Sequence, residues 1–268
     1  MINALHRNPV VVVLFLLVLS FILAPLAIAT LIGFSSSPFL AFPPPGFSLQ
    51  WFKRFFSDDA FMSGLDLSLR IAVIVTVAGT VVGVLSAYGL SRMKARMGQQ
   101  ILTAIMLSPL IFPVIVIALA LLLFLSNFNL LGSLTGLIIA HLLIVVPLVI
   151  STVAAALAGL DKSINEAAAS LGAGPWRTFG LIILPQVRGA VAGAALLSFL
   201  FSFNDVTFAA FIGGVNAQTL PLKLFGYIRY QLNPMIGAVS AIFIFSTLLV
   251  IVIFDRIVGF DRLVGIKE

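Results

Sequence analysis

Asp205 is the only carboxylate deep within an apolar run of this sequence, in SFLFSFNDVTFAAF, with Asn204 beside it. A charged side chain at the centre of a membrane helix costs about 2.5–3.5 kcal/mol on insertion scales, so it has to face protein or water. Two roles fit. Asn204 and Asp205 could form a polar point on a translocation path, where a carboxylate attracts a cationic solute. Alternatively, Asp205 makes a hydrogen bond between helices, or pairs with Arg70 or His141, each in the outer part of its own apolar run. Other chemistry has few candidates. The 2 histidines, His6 and His141, lie far apart and suggest no metal cluster, and Asp58 and Asp59 have no histidine near them. With 0 cysteines there is neither a disulfide nor thiolate chemistry. No G-x-x-x-x-G-K-S/T run occurs, so the chain has no phosphate-cradling loop of that type.

The elements that must position these residues follow from composition. The chain has 268 residues, 61% hydrophobic and 9% charged, with mean hydropathy +1.22. A soluble domain carries about a quarter charged residues, so this is a membrane composition. Six apolar runs stand out, at residues 10–32, 67–90, 101–125, 134–156, 189–211 and 235–258. Each meets the roughly 20 residues needed to cross a bilayer as a helix. The expectation is an all-α, polytopic membrane protein with six transmembrane helices in a single domain, 1–268. The first run is too long for a signal-peptide core and ends in no A-x-A site, so it reads as an uncleaved span. Gly79, Gly83 and Ala87, and Gly189 with Gly193, make small-residue faces for close helix packing. Pro109, Pro113 and Pro147 should bend their spans. His141 is expected to donate a hydrogen bond inside the bundle.

Basic residues set the orientation. With the N-terminus inside, the cytoplasmic side holds Arg7, Arg92, Lys94, Arg96, Lys162, Arg177, Arg188, Arg256, Arg262 and Lys267. The outer side holds Lys53, Arg54, Lys223 and Arg229, and Arg70 lies at the start of the second span. Ten against four predicts both termini inside. The net charge of +6 is then a membrane-orientation signal, and no nucleic-acid partner is implied. The first outer loop, 33–66, carries Phe47, Trp51, Phe52, Phe55 and Phe56 at spacings that predict a short helix lying in the interface. Tyr88, near the cytoplasmic end of its span, reads as an interface marker.

The longest inner loop, 157–188, contains NEAAASLGAG, a polar stretch in an apolar chain. Asp161 can cap one helix start, and Ser163 with Glu166 three residues later forms a capping-box pattern for another. Ala167, Ala168, Ala169 and Leu171 favour helix. Gly172 and Gly174 end it, Pro175 can start a further turn, and Pro185 breaks the approach to the fifth span. This predicts a helix of about ten residues held outside the lipid, serving either as an elbow or as a knob for a partner.

The spacing of this loop resembles a known signature. EAA, three residues, G, nine residues and I-x-LP is the pattern of permease subunits of bacterial binding-protein-dependent ABC importers. Glu166, Ala167, Ala168, Gly172, Ile182, Leu184 and Pro185 match it. Across nearly the whole chain, the six spans, the long first outer loop and TLPLKLFGYIRYQLNPMIGAVS are similar to the spermidine/putrescine type, its second permease subunit in particular. The resemblance implies a type I ABC importer permease in the bacterial inner membrane. It makes the helix around Glu166–Gly172 (Glu166, Ala167, Ala168, Leu171, Gly172) a coupling helix seated in a cytoplasmic ATPase, with Asp161, Ser163, Pro175, Ile182, Leu184 and Pro185 supporting it. It also implies a second permease subunit, two ATPase subunits that bind ATP and Mg2+, and an extracytoplasmic solute-binding protein. No cofactor is expected in this chain.

The residues also bear on other functions. A membrane enzyme predicts clustered acids or histidines at one depth, and these are sparse. A self-sufficient secondary transporter predicts internal repeats or discontinuous helices, and the sequence displays neither. The cargo is less determined than the machinery: polyamines lead, with other small amines, amino acid derivatives, phosphonates, sugars and ferric ion as alternatives.

Overall fold

The computed structural model describes residues 9–258 other than Lys94, Lys162 and Asn216, and describes the backbone alone at 165, 166, 169, 257 and 258. His6, Arg7, Lys94, Lys162, Arg262 and Lys267 of the charge pattern, and the side chain of Glu166, lie outside the described residues. The described chain is all-α apart from an isolated bridge between Ser35 and Phe47. Its helices are α1 (Pro9–Gly33), α2 (Gln50–Phe56), α3 (Asp59–Ser91), α4 (Arg96–Leu107), α5 (Val114–Ser126), α6 (Leu134–Ala158), α7 (Ser163–Ser170), α8 (Pro175–Thr178), α9 (Leu184–Phe203), α10 (Thr207–Ile212), α11 (Leu220–Tyr230) and α12 (Met235–Val258). Among the described residues 5 helical segments are long and apolar enough to cross a membrane, or 6 if one bent pair counts as a span. The protein is therefore a polytopic all-α membrane protein. Helices suit a bilayer because every backbone group finds its partner within the segment.

Two runs differ from expectation. The third is not one helix: Arg96–Leu110 and Val114–Ser126 meet at 96°. Pro113 is the cause. It is extended, at φ −56 and ψ 131, it has no amide hydrogen, and it disfavours helix at the residue before it. Pro109 lies in the 3-10 turn Ser108–Leu110 just ahead. Pro147, by contrast, sits inside the continuous α6. The fifth run is shifted and broken. Its long segment is Pro175–Phe203, then Asn204, Asp205 and Val206 interrupt the helix before α10. Discontinuous helices thus exist where the apolar runs read as unbroken, because hydropathy averages over a short gap.

The chain forms two compact units. One comprises Met1–Met62 and Leu224–Leu248. In it the aromatic stretch 47–56 does not all lie along an interface. Trp51 is buried and donates its indole N–H to the Ser35 carbonyl at 2.9 Å. Phe55 is also buried, against Phe61, whose ring meets Tyr227 edge-on. Phe47 and Phe56 remain exposed.

The other unit comprises Ser63–Lys223 and Leu249–Glu268, and its core is organised around α6. Helices α4, α5, α9 and α10 all pack on α6, which buries Leu137, Ala140, His141, Val145 and Val149 among others. The small-residue face of α3 lets it come close. A Cβ on Gly79 would stand 2.5 Å from Val145 Cγ1, and one on Gly83 would stand 2.5 Å from Val149 Cβ. On the second such face Gly189 is buried, whereas a Cβ on Gly193 meets nothing within 4 Å.

Candidate functional site

The loop 157–188 folds as a capped knob on an ordered base. After α6, Gly159 and Leu160 close turns on Ala156 and Leu157. Of the two competing helix starts, Asp161 makes the described cap: its Oδ1 accepts the Ser163 amide at 2.9 Å. That backbone hydrogen bond, with a second from the Ser163 side chain, holds the Asp161 carboxyl below its ordinary range. Helix α7 spans 8 residues, Ser163–Ser170, slightly shorter than expected. Ala168 is its buried contact and Ala167 is exposed.

The end of α7 is a Schellman closure. The Ala173 amide donates to the Ala168 carbonyl at 2.9 Å, and the Leu171 amide donates to Ala167. Gly172 between them has φ +75, the left-handed conformation this closure demands. A Cβ at Gly172 would meet nothing within 4 Å, so within this chain the backbone angle, and not crowding, calls for glycine. Leu171 next to it is 88% exposed. An aliphatic side chain held that far out by a capped helix suits insertion into a partner.

The base is fixed differently. Gly174 is extended and Pro175 opens α8, where its missing amide hydrogen costs nothing. Thr178 is buried and returns its hydroxyl to the Gly174 carbonyl at 3.1 Å. Residues Phe179–Ile183 then form a π-helical turn. Pro185 follows at the start of α9. It does not end the helix. The wider turn before it accommodates a residue that cannot donate to the preceding turn. Ile182 is half-buried and its carbonyl accepts from Gln186 Nε2 at 2.9 Å, while Leu184 packs against the core.

One anchoring residue lies outside the signature. Tyr88, near the end of α3, donates its hydroxyl to the Pro175 carbonyl at 3.0 Å. Its ring lies 4.5 Å, centroid to centroid, from that of Phe179. It is an intramolecular clamp on the base of the loop, joining residues 87 positions apart in sequence. Its depth in the run was readable; its partner was not.

The structure places Asn204 and Asp205 in the break between α9 and α10. Asn204 is exposed, with its Nδ2 donating to the Leu200 carbonyl at 2.8 Å. Asp205 caps the new helix: Oδ1 accepts from the Thr207 amide at 3.2 Å and Oδ2 from the Ala209 amide at 3.1 Å. Of its two candidate partners His141 is the neighbour, with Nε2 at 3.5 Å from Oδ2. Arg70 instead pairs with Asp66, one turn earlier on α3, at 2.9 Å and exposed. Among the described residues no group of 3 or more His, Cys, Asp or Glu could hold a metal ion.

Comparison with known proteins fits this architecture. Residues 79–260 match the model of the family described as "Binding-protein-dependent transport system inner membrane component". The putrescine transport system permease protein PotI of Escherichia coli (strain K12) is 32% identical over 242 residues, covering 88% of this chain and 86% of that one. The spermidine/putrescine transport system permease protein PotC of the same organism is 30% identical over 249 residues, covering 92% of each. A solved bacterial ABC transporter involved in import of the acidic polysaccharide alginate has the same fold at TM-score 0.71 and 12% identity, with 96% and 97% of the two chains covered. The chain belongs to the binding-protein-dependent transport system inner membrane components, the permease subunits of ABC importers.

Proposed function

We propose that this permease carries a polyamine of the spermidine/putrescine class inward, with a second permease subunit, two cytoplasmic ATPase subunits and an extracytoplasmic solute-binding protein. ATP and Mg2+ belong to the ATPase subunits. The bent pair α4–α5 counts as the third of six spans, and both termini face the cytoplasm, as the basic-residue asymmetry favours. Loop 157–188 then lies on the ATPase side. The observation that carries the coupling role is the closed end of α7, which presents Leu171 on a short, capped helix. Glu166, Ala167, Leu171 and Gly172 form the proposed docking face, and Ala168, buried against the chain, seats the coupling helix behind it. Asp161, Ser163, Pro175, Ile182, Leu184 and Pro185 stiffen its two ends, so ATPase closure displaces α6 and α9 where a slack loop would absorb the motion. The break at Asn204 and Asp205 is the proposed polar point on the solute path.

The polyamine assignment draws support from the relatives named for putrescine and spermidine. The alginate transporter shares the fold alone. Titrating the solute-binding protein that works with this permease against putrescine, spermidine and neutral sugars tests the cargo. Tight binding of an amine, with matching uptake by the reconstituted complex, is the expected result. Binding of a neutral sugar and no amine overturns the polyamine reading and leaves the coupling role standing.

The clamp gives a separate prediction. Tyr88→Phe removes one hydrogen bond, worth about 0.5–1.5 kcal/mol, and keeps the ring contact with Phe179. Tyr88→Ala removes both. Uptake per ATP hydrolysed, measured in proteoliposomes, is expected to drop only slightly for Phe and several-fold for Ala. Equal behaviour of Ala and the parent would remove Tyr88 from the transmission path.

A further inference from the structure

His141 is 0% exposed, and its two ring nitrogens have different neighbours. Nδ1 lies 2.6 Å from the Leu137 carbonyl, one turn earlier on α6. A carbonyl only accepts, so Nδ1 carries a hydrogen and donates it. Nε2 makes no hydrogen bond and is buried. Its polar neighbour is Asp205 Oδ2 at 3.5 Å, on a side chain 6% exposed.

With its hydrogen fixed on Nδ1, a neutral imidazole presents a lone pair at Nε2. An ionised Asp205 presents lone pairs opposite. Two lone-pair atoms held together in this buried contact leave one acceptor unsatisfied and one charge uncompensated, and both are costly when buried. A single proton between them removes both costs. The Asp205 oxygens already accept amide hydrogens from Thr207 and Ala209, which suits the ionised carboxylate.

We propose that His141 and Asp205 share one proton, carried on Nε2, and that the resulting imidazolium–carboxylate pair fastens the break between α9 and α10 to α6. Among the described residues of the helices packed on α6, no other charge faces this pair. On α6 the histidine is the only titratable residue, and α5 and α10 carry none. Arg96 of α4 and Arg188 of α9 are exposed. Along residues 63–91 of α3, Asp66 and Arg70 are paired with each other at the exposed surface, and Tyr88 donates to Pro175. The Phe208 ring, 5.4 Å away edge-on, closes the remaining side.

The inference changes the role of Asp205. Its charge is compensated within the chain, so it is a positioning residue. A cationic solute at the break is not met by a free carboxylate; it meets Asn204 and backbone polar groups, or it has to displace the imidazolium.

The chain holds only 2 histidines, which makes the proton directly observable. Full-length His6→Gln protein, labelled with 15N-histidine and reconstituted in lipid nanodiscs, gives nitrogen spectra of His141 alone. The expected spectrum at pH 7 has two protonated ring nitrogens, and Asp205→Asn is expected to lose the Nε2 signal while keeping Nδ1–H. A parent spectrum at pH 7 with one unprotonated ring nitrogen overturns the proposal. If Asp205→Asn does not fold, raising the pH of the parent is the second measurement: loss of the Nε2 proton alone supports the pair, and loss of the Nδ1 proton first overturns it.

Discussion

Gly237→Ala destabilises the chain by roughly 3 kcal/mol, whereas the same change at Gly193 stabilises it or leaves it unaltered. The difference lies in what a methyl group meets. At Gly237 of α12 the new Cβ would stand 2.5 Å from the Gly33 amide nitrogen and 2.6 Å from the Ala29 carbonyl oxygen. Both are backbone atoms of α1, which cannot rotate aside as a side-chain tip would. Gly33 faces the same restriction from the other helix, with Ala238 N at 2.6 Å. Helices in lipid are not pressed together by the hydrophobic effect, so their contact rests on close packing. That attraction falls by a quarter to a half with a radial gap of about 0.5–1 Å. Gly33 is the one buried residue of α1, so this packing is the contact that holds the helix. At Gly193 nothing lies within 4 Å, and alanine gains about 1 kcal/mol of helix propensity. Thermal unfolding of both variants in detergent is the measurement. A Gly237→Ala midpoint equal to the parent's would mean that α1 is not held by this packing.

How far such contacts were readable in the sequence depends on what encodes them. The last run, 235–258, coincides with α12, and 134–156 falls two residues short of α6, because lipid demands an unbroken apolar stretch and any polar boundary ends it. The breaks were concealed by the same logic. Pro113 interrupts a helix while its apolar neighbours keep the run's mean hydropathy high, and the gap at Asn204–Val206 is too short to split a run. The loop 157–188 was legible since its caps and glycines act locally. Asp161, Gly172 and Pro175 each determine backbone geometry within a few residues. Depth alone left Arg70 and His141 as equal partners for Asp205. The choice depends on helix rotation and on a carboxylate one turn from Arg70, at Asp66, which can satisfy it without any tertiary contact. The spacing of Trp51 and Phe55 predicts an interfacial helix. A chain that folds back to offer Trp51 the Ser35 carbonyl is a tertiary fact that spacing does not contain.

Gly172→Val, finally, is expected to abolish ATPase capture while leaving membrane insertion intact. Valine at φ +75 puts a β-branched side chain into left-handed backbone, where even an unbranched L-residue costs roughly 1–2 kcal/mol. A helix as short as α7, 8 residues, has little intrinsic stability to offset this. At about 1.4 kcal/mol per tenfold, a penalty near 2 kcal/mol shifts the closed end about 30-fold toward an open one. The Ala173–Ala168 bond is then lost, and Leu171 leaves the position in which α7 presents it. The effect is local, since a Cβ at this position meets nothing within 4 Å among the described residues. Co-purification of the ATPase with the tagged permease, at matched permease levels in the membrane, measures it. A second variant separates backbone angle from partner crowding. Asparagine tolerates the left-handed conformation yet is bulkier than alanine. If the angle alone requires glycine, Gly172→Asn captures ATPase far better than Gly172→Val. If the ATPase groove closes tightly over this residue, Asn fails as completely as Val, and alanine, the smallest addition, performs best of the three. Normal capture by Gly172→Val would remove α7 from the docking surface.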